Sequence, residues 1–409
     1  MMRFFMTLAS ASLLASAAQA APLSYDDALR LARSAPSLQA RGADLAAARS
    51  SAIAAGRLPD PKLSAGLGNF PISGPLAGTL SGDSMTMATL GVSQEVPSGG
   101  KRAAARARAD ADIQAARSGE ALEARNVRLS TALAWVDLYY AKRRLAALGE
   151  VDRAIAPLRT TAPAQLAAGA ARPGQTLEAD QLAAALADRR ADLTAALAKA
   201  RAELIRWTGD PDAEVAGDPP AYSIDPFALR AGLEALPVMG AYDAMDRQAR
   251  ADVALARADR RPDWSWELTY QHRDPMYGDM VSIGASIGLP LFGTTRQDPI
   301  IAARASAASR VGYEREAARR ALAAALEADL ADHAMHHDRL IRARTILEPL
   351  AARRADLETA SYAAGTASLS DVLTAFLALA ETKIDIIDRD ADVQRDAVRI
   401  ALTYGSQAQ

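Results

Sequence analysis

The chain carries an internal repeat of nearly half its length, and few folds accommodate one. Laying Leu58-Pro59-Asp60 on Arg261-Pro262-Asp263, Val96-Pro97 on Leu289-Pro290, Gly169 on Gly365 and Gly209 on Gly405 gives offsets of 203, 193, 196 and 196 residues. Each copy has the same order: strand pair, long helix, glycine-containing break, returning helix. Two short amphipathic strand pairs, each too small to close anything alone, followed by very long helices describe a tube assembled from several chains. They do not describe an enzyme with a pocket. The expected role is conduction.

The halves are predicted to run over residues 21–209 and 226–409, with a linker at 210–225. The first half has a helix, a strand pair over 62–96, a long helix over 101–168 and a return helix over 174–208. In the second half the strand pair is expected at 263–290, the long helix at 296–363 and the return helix at 369–404. The start of the chain has the form of a cleaved secretory signal peptide, residues 1–20: Arg3, an apolar run too short to span a bilayer, then Ala18-Gln19-Ala20 before the cut. Charges interrupt every other apolar run, so no segment is suited to span as a helix. The absence of cysteine excludes disulfides, thiolate metal sites and a lipid anchor on an acylated cysteine. A net charge of -2 gives no reason to expect nucleic acid.

If the protein sits in a membrane, strands must hold it there. Trp264, Trp266, Leu268 and Tyr270 alternate with Ser265, Glu267, Thr269 and Gln271, and Val281, Ile283, Ala285, Ile287 and Leu289 alternate with Ser282, Gly284, Ser286 and Gly288. The first half is a weaker version: Leu63, Ala65 and Leu67 against Ser64, Gly66 and Gly68, then Ala88, Leu90 and Val92 against Met87, Thr89, Gly91 and Ser93. Each run is about the nine to eleven residues that cross an outer membrane when tilted. Four strands are too few for a barrel with a lumen, whereas three chains would supply about twelve. Trp264 with Phe292, and Tyr270 with Tyr277, stand near the strand ends, where interfacial aromatics would belong.

The helical segments carry their own signals. At ~1.5 Å per residue the first long helix would reach roughly 100 Å, and Pro157 and Pro163 should bend or interrupt its far end. Leu182, Leu186, Leu193, Leu197 and Leu204 read as a coiled-coil seam, as do Leu326, Leu340 and Leu347.

Together with the segment Tyr362-Ala-Ala-Gly365-Thr-Ala-Ser-Leu369-Ser-Asp371-Val-Leu373, these features resemble the outer membrane efflux protein family, the TolC-type channels. The resemblance implies a mainly α fold with a homotrimer of chains. Four β-strands per chain would join a shared 12-stranded barrel in outer-membrane lipid, and the long helices would form a periplasmic α-barrel. It further implies docking to a periplasmic adaptor (membrane fusion) protein and an inner-membrane RND-type pump, in a double-membrane bacterium, with no cofactor. The corners Leu58-Pro59-Asp60-Pro61-Lys62-Leu63, Gly68-Asn69-Phe70-Pro71, Met85-Thr86-Met87, Gln94-Glu95-Val96-Pro97 and Gly100-Lys101-Arg102 are similar to the heavy-metal branch, which exports copper and silver or cobalt, zinc and cadmium. Such corners follow lineage as well as cargo. Organic-compound efflux and type I secretion therefore stay open, as does, more remotely, a poreless periplasmic coiled coil.

By the same resemblance, the two breaks are adaptor-docking tips: Gly169, Ala170, Ala171, Arg172 and Gly174 in one, Gly365, Thr366, Ala367, Ser368, Leu369 and Ser370 in the other. Asp371 and Tyr362 match positions that constrict the periplasmic mouth in related channels, and a ring of carboxylates there would favour cations. The sequence departs from that pattern at Ala367, where an arginine is expected, and at Thr374, where a second aspartate is expected. Gln175 is the first-half counterpart of Asp371 (371 - 196 = 175). Asp371 is equally suited to complement a helix start capped by Ser368 or Ser370.

His333, His336 and His337 share a helical face and have donors that suit Cu, Ni or Zn. His333 also falls on the Leu326, Leu340, Leu347 seam, where a polar residue commonly sets register. No enzymatic motif is complete: Val96-Pro-Ser-Gly-Gly-Lys101 lacks the earlier glycine and the following hydroxyl of a phosphate loop.

Overall fold

A computed structural model describes residues 22–167 and 173–405, without the side chains of part of the 151–182 region. The expected signal peptide, residues 1–20, and the tip residues Gly169, Ala170, Ala171 and Arg172 lie outside the described residues.

In chain order the helices are α1 (Tyr25–Leu31) and α2 (Pro36–Ala54), then strands β1 (Lys62–Gly68) and β2 (Met87–Val96), then α3 (Gly99–Ala167) and α4 (Pro173–Thr208). The pattern returns with α5 (Pro226–Gly232), α6 (Pro237–Ala258), β3 (Trp264–Arg273), β4 (Met280–Ile287), α7 (Asp298–Arg342), α8 (Glu348–Ala363) and α9 (Leu369–Tyr404). All four strands form one antiparallel sheet in the order β1-β2-β3-β4. The central β2–β3 pairing joins the two sequence halves from Met87↔Arg273 to Val96↔Trp264.

Packing divides the chain differently from the repeat. One compact unit takes the segment ending at Ala35 with Arg128–Ser223 and His333–Arg399, and the other takes Pro36–Val127, Ile224–Asp332 and the chain from Ile400 on. Each unit thus draws on both halves.

Within the first unit, Leu148, Leu186, Leu193, Leu369, Leu373, Ala380 and Ile384 form a buried cluster from α3, α4 and α9. Leu186, Leu193 and Leu204 of the expected seam are buried. A second centre of this unit is aromatic. Trp135 is fully buried between Tyr25, edge-on at 5.6 Å, and Tyr139, stacked at 5.6 Å. Its indole Nε1–H donates to the Leu23 carbonyl at 3.0 Å, which satisfies the buried polar handle of an otherwise apolar ring. Leu23 also bridges Val215, so the start of the described chain is bonded into this unit. In the second unit Leu236, Leu326, Ile400 and Tyr404 cluster, and the Tyr404 hydroxyl donates to Asp329 at 2.7 Å.

One helical expectation is narrowed and another is corrected. First, α3 is not interrupted at Pro157 or Pro163: the helix is continuous through Ala167. Each proline forfeits one backbone bond to the preceding turn, and the many remaining bonds of a 69-residue helix keep it continuous. Second, the expected helix over 296–363 is broken by a π turn at Ala343–Leu347, where the Glu348 N–H donates to the Ala343 carbonyl five residues back. Pro349, which has no N–H to give to the preceding turn, lies just beyond. The extra residue of the π turn rotates the face that follows. Ala343, at the start of the turn, is fully buried with Leu340, while Leu347, expected on the seam, is 40% exposed.

Candidate functional site

Strand register sorts the side chains of the sheet onto two chemically distinct faces. One carries the rows Leu63, Val92, Leu268, Ile283 and Ala65, Leu90, Tyr270, Val281, continued by Val96, Trp264, Ile287. The other carries Ser64, Gly91, Thr269, Ser282 and Lys62, Ser93, Glu267, Gly284. The apolar rows are uncovered: Leu63 is 72% exposed, Ile283 82% and Leu268 45%. A contiguous apolar face of this extent demands an apolar surrounding. Trp264, Tyr270, Tyr277 and Phe292 are all exposed as well.

The polar face is close-packed in its middle. A Cβ on Gly91 would stand 2.7 Å from Ser64 Oγ and 3.2 Å from Thr269 Oγ1, so the glycine leaves room for both neighbouring hydroxyls.

Both ends of the sheet are fastened by carboxylates. At the hairpin end, Asp274 accepts the Gly82 N–H at 2.8 Å, which ties the long first loop to the second, and Asp279 takes the Tyr270 hydroxyl and pairs with His272 Nδ1. At the helix end, Asp263 accepts the Ser98 N–H at 2.8 Å and pairs with Lys101 at 2.5 Å. Burial alone would raise the Asp263 carboxyl, but Lys101 and the Ser98 N–H outweigh it and hold the group below the usual carboxylate range. The alternation of the strands was legible in sequence. The Asp274 and Asp263 fastenings were not, because their partners lie 162 to 192 residues away.

The turn between α8 and α9 is built from two complementary caps. Gly365 takes φ +74°, its N–H donates to the Tyr362 carbonyl at 3.0 Å, and the Thr366 N–H donates to the Ser361 carbonyl at 2.9 Å. This pair of bonds is the Schellman closure of a helix. The next helix opens with a reciprocal box: the Asp371 N–H donates to Ser368 Oγ at 3.2 Å, and the Ser368 N–H and hydroxyl donate to the Asp371 carboxylate at 2.9 and 2.7 Å. The Ser368 hydroxyl, then its N–H, hold the Asp371 carboxyl below the usual range. Ser368, of the two serines considered, is the cap.

Asp371 and Thr374 are exposed on one face of α9, three residues apart. Tyr362 packs, partly buried, against the cluster of Leu148, Leu369 and Leu373, and Leu369 is itself a buried member of it. Gly174 and Gln175 lie in the first turn of α4, without described side chains.

The three histidines do not assemble as a ligand set. His336 Nδ1 is 2.6 Å from Asp396 Oδ2 across to α9, while the rings of His333 and His337 are 6.5 Å apart. Among the described residues no three His, Cys, Asp or Glu side chains converge as a metal site.

A belt of ion pairs around α9 carries no local sequence signal. Asp390 meets Arg143 of α3 at 3.2 Å and Arg344 of the π turn at 3.1 Å, Asp388 pairs with Arg144, and Arg395 bridges Asp137 at 2.6 Å and Asp392 at 2.8 Å.

Comparison with known proteins gives this geometry a context. Residues 233–406 match the family "Outer membrane efflux protein". No curated protein sequence matches the chain. The fold is similar to that of a membrane protein from Pseudomonas aeruginosa, with a TM-score of 0.80 at 18% identity over 93% of this chain and 90% of that one. It is also similar to CusC, with a TM-score of 0.79 at 15% identity over 93% and 92% of the two chains. The Campylobacter jejuni CmeC outer membrane channel gives a TM-score of 0.78 at 14% identity over 94% and 87%. The mainly α chain with four antiparallel strands has the fold of these outer-membrane channels, and the matches are to channels rather than enzymes.

Proposed function

We propose that this chain is the outer-membrane channel of a tripartite efflux system and conducts its cargo passively. The observation that carries the reading is the two-faced sheet: uncovered apolar rows on one side, small and polar residues on the other. Lipid satisfies the first face and a water-filled lumen the second. β1 and β4 are open edges of a four-stranded sheet, and joining the β1 edge of one chain to the β4 edge of the next in a homotrimer closes about twelve strands with no edge left. The match over residues 233–406 supports the same assignment.

On this reading the Gly365 to Ser370 turn is a periplasmic tip that meets an adaptor protein carrying cargo from an inner-membrane RND-type pump. Asp371 and Thr374 stand at the mouth, and the signal peptide directs export. Gly169 to Arg172, Gly174 and Gln175 supply the second tip. Tyr362 braces the tip through the apolar cluster.

The cargo we assign is heavy-metal cations, supported by the strand and helix corners and by the exposed Asp371 carboxylate. Drug or organic-compound efflux is the competing assignment. The matches to outer-membrane channels rest on fold at 14 to 18% identity, so they do not divide the two.

Outer-membrane fractionation is the test of the channel. A heat-sensitive trimer that conducts in planar bilayers is expected, whereas recovery as a soluble periplasmic monomer would overturn the reading. A deletion strain sensitive to drugs but not to Cu, Ag, Co, Zn or Cd would overturn the cargo.

A further inference from the structure

His336 of α7 and Asp396 of α9 pair inside the first packing unit, with His333 one helical turn before His336. Asp396 is only 4% exposed, and both its oxygens are engaged: His336 Nδ1 lies 2.6 Å from Oδ2, and Arg399 Nη2 donates to Oδ1 at 2.8 Å. His333 occupies the same seam, seven residues after the buried Leu326 and seven before the buried Leu340. Its Nδ1 is shielded from solvent and has no hydrogen-bond partner among the described residues. A neutral imidazole tolerates this, because Nδ1 can be the unprotonated nitrogen of the ring. An imidazolium cannot, since both nitrogens must then donate.

The groups that bear on His333 are Asp396 from α9 and His336 and His337 from α7. Asp396 would attract a charge on His333, but its oxygens are turned to His336 and Arg399, and His333 Nδ1 makes no hydrogen bond to it. The two neighbouring imidazoles oppose that charge. We infer that the α7–α9 seam is an acid-sensitive latch, closed while His333 is neutral and loosened when it takes a proton.

The sign follows from linkage. Burial, the largest cause, pulls His333 below its ordinary value of 6.5, so the folded seam binds the proton less well than the open one. The contribution to stability is fully present above that value and is lost as pH falls through the lowered one. One proton limits the effect to about tenfold per pH unit.

Hydrogen exchange of the full-length protein in detergent micelles, corrected for intrinsic rates, reads the latch at about pH 7.5 and about pH 5.5. Peptides covering residues 330–340 and 390–399 report on it. In the unmodified protein their protection is expected to fall by up to about tenfold at the lower pH. His333→Leu and His333→Gln should abolish the pH response, the first keeping apolar volume and the second a neutral polar group. No pH response in the unmodified protein would overturn the latch, as would a response that survives in His333→Gln. These outcomes do not depend on conduction, so the latch and the channel reading fail separately.

Discussion

Replacing Leu268 by arginine tests the orientation of the sheet more sharply than any change in the helices. Leu268 is the fifth of the ten residues of β3, in register with Val92 and Ile283, and is 45% exposed on the apolar face. Its position is therefore near mid-height of the strand. An arginine on the lipid face at the bilayer midplane costs about 2 to 4 kcal/mol, a factor of about 30 to 900 per chain. Three copies in one barrel bring the total to about 6 to 12 kcal/mol.

The matched control is Ser282→Arg, two residues into β4 on the opposite face, where Ser282 pairs with Thr269 and is exposed. That change loses the 3.2 Å bond from Gln271 Nε2, an exposed contact worth about 1 kcal/mol or less. Refolding into lipid vesicles across a urea series, scored by the heat-sensitive trimer band, separates the two variants. Leu268→Arg should lower the trimer yield at least about tenfold relative to Ser282→Arg. Equal yields, or a worse outcome for Ser282→Arg, would refute the assignment of lipid to the apolar rows.

Other perturbations address the remaining layers of structure. Leu326→Ala empties a fully buried position among Leu236, Ile400 and Tyr404 and should cost about 2 to 5 kcal/mol, measurable as a lowered urea midpoint. Gly365→Ala, at φ +74° with open space around its missing Cβ, should cost about 1 kcal/mol in the same assay. Gly56→Ala should cost clearly more, because at φ +67° its Cβ would also stand 2.3 Å from the Arg102 carbonyl oxygen; equal losses at the two glycines would contradict this. Asp371→Ala should change divalent-cation block at the periplasmic mouth in planar-bilayer recordings. Because its carboxyl is held lower than usual, the native response should persist to a lower pH than an ordinary carboxylate allows, and unchanged block in the variant would remove Asp371 from the mouth.

What the sequence disclosed and what it withheld divide by the distance between interacting residues. The alternation from Trp264 to Gln271 and the leucine spacing from Leu186 to Leu204 are local periods, and both survive in the structure as one exposed apolar face and one buried seam. Gly365 and Ser368 were likewise legible, because caps act within a few residues. The π turn was only half legible. Pro349 announces a disturbance, but whether it kinks, ends or rewinds a helix depends on which face must stay buried afterwards. His336 is the clearest case of withheld information: three histidines in one turn suggest a ligand set until Asp396, 60 residues later, claims the middle one. Asp390 behaves alike, since Arg143 lies 247 residues before it. Tyr362, matched to the mouth by resemblance, also packs against the apolar cluster, a contact with no local signal in the sequence.

The way packing cuts across the repeat has a consequence for how this protein can be made. The chain passes between the two units after Ala35, Val127, Ser223, Asp332 and Arg399, and the last passage hands Ile400 and Tyr404 to a cluster begun by Leu236. Neither unit is complete until nearly the whole polypeptide has been synthesised. A nascent N-terminal half has no finished core to retreat into, so premature collapse offers it little gain and the contacts it must wait for are far away in sequence. Under the proposed function, which requires export, that delay is an advantage: the final residues complete both units, and a chain truncated before Ile400 is expected to remain a substrate for proteases.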